Sequence, residues 1–194
     1  MIHLPDNAAL LVIDVQQAFD QPRWGQRNNP EAEGNIARLL AAWRASRRPV
    51  IHVHHESASP TGAFRRGEAG ILTKPEAMPV EGERLYWKTV NSAFIGTSLE
   101  ADTRKAGITA LVIVGLTTNH CVSTTVRMAG NLGFDTYVVS DATATFERKG
   151  LDGRIRSAAE VHASALSDLH EEFATVVDTG TLLAELEPNS RTAA

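Results

Sequence analysis

The stretch Ala8 to Val15 is nearly unbroken apolar sequence, and it constrains the fold more than any other part of the chain. A strand with one wet face alternates apolar and polar residues; a strand apolar at consecutive positions is covered on both sides. Ile108 to Val114 reads as a strand too, and shorter ones are expected at 49–54, 84–88, 134–140 and 174–177. Helical patterns separate them. One is predicted from about Pro30 to Arg47, with Asn29 as N-cap, Pro30 at the first helical position and Ile36, Leu39, Leu40 and Trp43 as its apolar stripe. Another starts at the capping-box spacing Thr97-Ser98-Leu99-Glu100 and stops at Gly107. A third follows Cys121 to about Gly133, a fourth spans Ile155 to Phe173, and a short turn covers 182–186. Strands alternating with helices predict an α/β fold: a three-layer αβα sandwich around a mainly parallel six-stranded, Rossmann-like sheet. One domain over 1–187 and a flexible tail over 188–194 are expected.

Charge and cysteine usage narrow the setting. A net charge of −4 gives no reason to expect nucleic acid or an anionic membrane as partner. A single cysteine cannot form an internal disulfide, the N-terminus lacks the basic and apolar regions of a signal peptide, and no apolar run reaches bilayer length. A cytoplasmic protein with a small-molecule substrate is the expectation.

In parallel sheets, ligands collect at the carboxyl ends of the strands. Asp14 interrupts the first strand near its end, Lys88 ends Leu85-Tyr86-Trp87-Lys88, and Cys121 lies just beyond the fourth strand. An acid in an apolar strand costs several kcal/mol unless it is paired or lines a cleft. A thiol at a strand-to-helix turn meets backbone N–H groups and the positive helix end, which favour the thiolate and can hold an oxyanion. Each residue has a bland reading: salt-bridge partner, solvent-seeking lysine, buried structural thiol. Together they make an activated nucleophile, with Asp14 taking the thiol proton and Lys88 steadying the charges.

Three segments carry a resemblance: Asp14-Val15-Gln16-Gln17-Ala18-Phe19, Lys88-Thr89-Val90-Asn91-Ser92-Ala93-Phe94 and Gly115-Leu116-Thr117-Thr118-Asn119-His120-Cys121-Val122. With Asp141-Ala142-Thr143-Ala144-Thr145 and the stretch ending Leu169-His170-Glu171-Glu172-Phe173, they resemble the isochorismatase-like cysteine hydrolases over about residues 8 to 187. The resemblance implies that family's fold, an Asp14-Lys88-Cys121 triad, and a cis peptide at Leu116–Thr117 that aims the N–H groups of Thr117 and Cys121 at an oxyanion. It implies C–N hydrolysis through a thioester, because the vinyl-ether-cleaving members lack this cysteine. It also implies a homodimer or homotetramer.

Nicotinamidases of that family hold a metal through an Asp-x-His pair and a later His. Here His52-Val53-His54-His55 puts His52 in the aspartate's place, and no His occurs between His55 and His120. His52 and His54 share a strand face, but two ligands without a third make a weak zinc site, so no metal or other cofactor is expected.

Phe19, Trp24, His55, Phe94, Thr118 and Asn119 are candidate pocket residues. The Gly/Pro-rich segment 56–83 is a candidate lid or subunit contact carrying Phe64, Ile71, Leu72 and Met78; its Arg65 or Arg66 could meet a substrate carboxylate. His162 and His170 lack helical zinc spacing and read as packing residues. The leading reading is a hydrolase of a small amide, ureide or carbamoyl compound. The alternatives are a non-amide hydrolase on the same triad and a non-catalytic domain in which Cys121 is a low-pKa redox sensor.

Overall fold

The computed structural model describes residues 2–187; the tail expected over 188–194 lies outside the described residues. Six strands, β1 (Ala9–Ile13), β2 (Val50–His55), β3 (Arg84–Lys88), β4 (Ala110–Leu116), β5 (Asp135–Ala144) and β8 (Thr175–Val177), form one sheet in the order β3-β2-β1-β4-β5-β8. Every pairing in it is parallel. A two-residue pair, β6 (Arg148–Lys149) and β7 (Ile155–Arg156), makes a separate antiparallel hairpin. The helices are α1 (Ala32–Ala45), α2 (Leu99–Lys105), α3 (Ser123–Asn131), α4 (Ala158–Ser167) and α5 (Thr179–Leu186).

The apolar run of β1 is divided by strand geometry. Leu10 and Val12 join Ile36, Leu39, Leu40 and Trp43 of α1 and Leu182 of α5 on one face. Leu11 and Ile13 join Leu99 of α2, Val126 of α3 and Leu166 of α4 on the other. Each such side chain contributes on the order of 2 kcal/mol when fully buried, so the sheet is held from both sides. Chain order reverses between β1 and β4, and the crevice beyond their carboxyl ends is the switch point where such folds bind ligands.

Several expected helix boundaries are corrected. Asn29 does not cap α1: it adopts φ 44°, and its amide donates to Ser140 O and Thr143 O at 2.8 and 2.7 Å. It pins β5 while α1 begins at Ala32. The box expected at Thr97 and Glu100 does not form, because Glu100 pairs with Arg104. The helix expected over 155–173 spans only Ala158 to Ser167. A true capping box at Ser157 and Glu160 starts it, and Ile155, apolar at helical spacing, is exposed in the hairpin.

The 56–83 segment is tied down rather than loose. Gln17 N donates to Leu72 O and Lys74 N to Val15 O. The buried Lys74 ammonium bonds Asp20 (2.5 Å) and Glu33 (2.7 Å), and Arg27 bonds Glu33 as well. Phe64 and Ile71 are buried within the chain, whereas Leu72 and Met78 stay exposed.

Candidate active site

β1 ends at Ile13, and Asp14 leaves the strand with φ 52° while its N–H still reaches Val53 O on β2 at 2.8 Å. Lys88, the last residue of β3, sits beside His55 in register. Its ammonium donates to Asp14 Oδ2 at 2.7 Å and lies 3.3 Å from His55 Nδ1. Both Asp14 and Lys88 are about 1% exposed. Removing either partner would strand a buried charge, so the pair behaves as a unit. Among the described residues, Asp14 Oδ1 is a buried polar atom with no hydrogen-bond partner.

Cys121 stands beside this carboxyl. After β4 the Leu116–Thr117 peptide is cis, and the chain makes a π turn over Thr118 to Val122 before α3. The turn is gripped residue by residue. Thr118 Oγ1 meets His162 Nδ1 of α4 at 2.8 Å. Asn119 Oδ1 accepts from Thr145 Oγ1 at 2.5 Å, and His120 Nε2 accepts from Arg148 Nη1 of β6 at 2.6 Å. The thiol, held between these clamps, interacts directly with the Asp14 carboxyl, and one ligand atom each from Asp14, His55 and Cys121 fall within 4.8 Å of one another.

Burial, with the Asp14 charge added, pushes the thiol up to about 12. The backbone donors of the turn favour a thiolate, but burial outweighs them. A helix terminus contributes about 1 kcal/mol at most exposed sites, whereas desolvating an anion costs several. Burial also raises Asp14 above the ordinary carboxylate range, and the neighbouring Lys88 opposes that shift. The thiol is therefore held protonated beside the Lys88–Asp14 pair.

A cavity of about 450 Å³ opens onto this group. Phe19, Trp24 and His55 line it as expected, and Asn119 does too. Phe94 does not: it stacks on Phe134 with ring centroids 5.9 Å apart, inside the core under α2 and α3. Nor does Thr118, which is fully buried against His162. Sequence reasoning missed Phe64 and Phe146 as pocket residues; Phe146 stacks on both Phe19 and Trp24, and Phe64 packs edge-on against Phe19 and His55. Both follow strand carboxyl ends, the signal that singled out Phe19 and Trp24. Arg65 and Arg66 are away from the cavity, paired with Glu68 and Glu56.

The histidines of β2 each make one side-chain hydrogen bond, although His52 Nδ1 is buried without a hydrogen-bond partner among the described residues. His52 Nε2 meets Glu83 at 2.9 Å, and His54 meets Thr73 Oγ1 at 3.3 Å with its ring edge-on to Trp87. Among the described residues, one trio has metal-ligand spacing, Asp14, His55 and Cys121, and the Lys88 ammonium already engages two of its members. No helix among them is long and apolar enough to cross a membrane.

Residues 8–181 match the isochorismatase domain model. The isochorismatase family protein YrdC of Bacillus subtilis is 46% identical over 180 residues, covering 93% of this chain and 96% of its own. Nicotinamidase 3 of Arabidopsis thaliana is 31% identical, covering 94% and 90%. A crystal structure of an isochorismatase-family hydrolase from Chromobacterium violaceum superposes with a TM-score of 0.93 at 46% identity, covering 95% of this chain and 96% of that one.

Proposed function

The chain belongs to the isochorismatase family of hydrolases, and from that premise we propose that it cleaves the C–N bond of a small amide, ureide or carbamoyl compound through a thioester on Cys121. The observation that carries this reading is the buried Lys88–Asp14 pair, whose free carboxylate oxygen is left for the thiol at the base of an aromatic cavity. As sulfur attacks the carbonyl carbon, its proton passes to Asp14 and the carbonyl electrons move onto oxygen. The backbone N–H groups of Thr117 and Cys121 are the proposed donors to that oxyanion. The tetrahedral species collapses, Asp14 returns the proton to nitrogen, and ammonia or an amine leaves. Water, deprotonated by Asp14, then attacks the thioester; the acid is released and the thiol regains its proton.

Lys88 opposes the rise that burial imposes on the Asp14 pKa and offsets the negative charge that develops during attack. A redox-sensing role has less support, because a thiol pushed up to about 12 is a poor target for oxidants at neutral pH. No metal has a step in this scheme. The test is ammonia release from a panel of primary amides and ureides, with acyl-Cys121 trapped and weighed by mass spectrometry. Turnover without an acyl adduct under rapid quench, or full activity in Cys121→Ala, would refute the thioester.

A further inference from the structure

The inner part of the cavity is electrically balanced, since Lys88 and Asp14 cancel and the wall is Phe19, Trp24, Phe64 and Phe146. The outer part is not. Arg23, Arg148 and Lys149 line it against one carboxylate, Glu147, and all three cations are exposed residues. Among the described residues none of the three makes an ion pair; Arg23 lies over the Trp24 ring at 5.8 Å. Arg148 is held by its single bond from Nη1 to His120 Nε2, one residue from Cys121. An acceptor nitrogen fixes one guanidinium N–H and leaves the rest of the fork available to a bidentate anion. That anchor distinguishes Arg148 from an ordinary surface arginine, which would wander through many rotamers.

The geometry points to an anionic substrate. We infer that this active site, if it is the amidase proposed above, selects amides whose planar apolar body fills the aromatic wall and whose far end carries a carboxylate. The Arg148 guanidinium would receive that carboxylate, with Lys149 beside it. Arg148 and Lys149 belong to the β6–β7 hairpin, which stands apart from the main sheet, and Arg23 comes from the turn after β1.

The test compares 4-carbamoylbenzoate with its neutral counterpart 4-methylbenzamide. Calorimetry in the Cys121→Ala background, where turnover is blocked, should show the carboxylate binding about tenfold tighter or better, the scale of one charge-assisted pair. In Arg148→Met/Lys149→Met that preference, read as the ratio of the two dissociation constants, should vanish. Rising salt should erode the preference as well. With Cys121 present, kcat/KM should show the same preference. Equal binding of the two amides, no binding of the carboxylate, or a preference untouched by the double substitution would overturn the inference. Selective carboxylate binding with no hydrolysis of either amide would sustain it and sink the amidase reading; equal hydrolysis of both would do the reverse.

Discussion

Asp14 Oδ2 holds Lys88 while Oδ1 has no hydrogen-bond partner among the described residues, which leaves it open for the proposed proton transfer from Cys121. Cys121→Ala should therefore lower turnover on the order of a thousandfold or more with the fold intact, measured as kcat beside an unchanged circular dichroism melt. Asp14→Asn and Lys88→Met should each slow acylation, and the double variant should be far from the product of the singles, because either change leaves its partner charge buried and unpaired. The pH profile carries its own sign. Asp14 must be ionised to accept the thiol proton, and burial raises its pKa above the usual 3.8, so kcat/KM should fall on acidification at a pH above that value. Lys88 opposes the rise, so Lys88→Met should move the acid limb higher still; an unmoved limb would show that Asp14 is not the titrating base.

At the scale of elements, β4 and the π turn decide where the thiol stands. Gly115 adopts φ 120°, and a Cβ there would lie 2.0 Å from Ile13 O on β1. No rotamer relieves a clash with backbone, so Gly115→Ala should cost several kcal/mol in denaturant titration and displace the end of β1 with Asp14 on it. His162, which reads in the sequence as a packing residue, buttresses the turn through Thr118. His162→Phe keeps the bulk and loses the bond, so kcat should drop about tenfold with KM nearly unchanged; a KM effect alone would place His162 elsewhere in the chemistry.

For the whole molecule, acid sensitivity follows from buried carboxylates that tie segments together. Glu33 on α1 is held down to about 2 by Arg27 and Lys74 against the cost of its burial, and Glu83 down to about 2 chiefly by Arg44. Such a group binds fewer protons folded than unfolded, so its stabilisation is complete above the unfolded value of 4.5 and is lost as pH falls toward 2. Urea midpoints should decline across that window, and Glu33→Gln should flatten the decline. The molecule also exposes Leu85 and Trp87 on the edge strand β3, and Leu72, Met78 and Val80 in the segment that leads to it. An uncovered edge with apolar neighbours invites association. The expected homodimer or homotetramer should appear in light scattering and split in Trp87→Lys; a fully active wild-type monomer at assay concentration would refute it.

The α/β architecture and the placing of Asp14, Lys88 and Cys121 at one sheet edge were legible in the sequence, because strand period and apolar continuity are local properties that burial on two faces enforces. Phe19, Trp24 and His55 were legible for the same reason, as residues next to strand ends. What the sequence left open depends on which distant groups meet. Phe94 and Phe146 are both aromatic residues near strand ends, yet one faces Phe134 in the core and the other walls the cavity. Asn29 could cap a helix locally, but β5 offered its amide two carbonyls. The thiol's charge state turned on the same kind of fact. Local context favoured a thiolate, and tertiary burial beside Asp14 reversed it, because desolvation depends on everything packed around an atom and not on its neighbours in the chain.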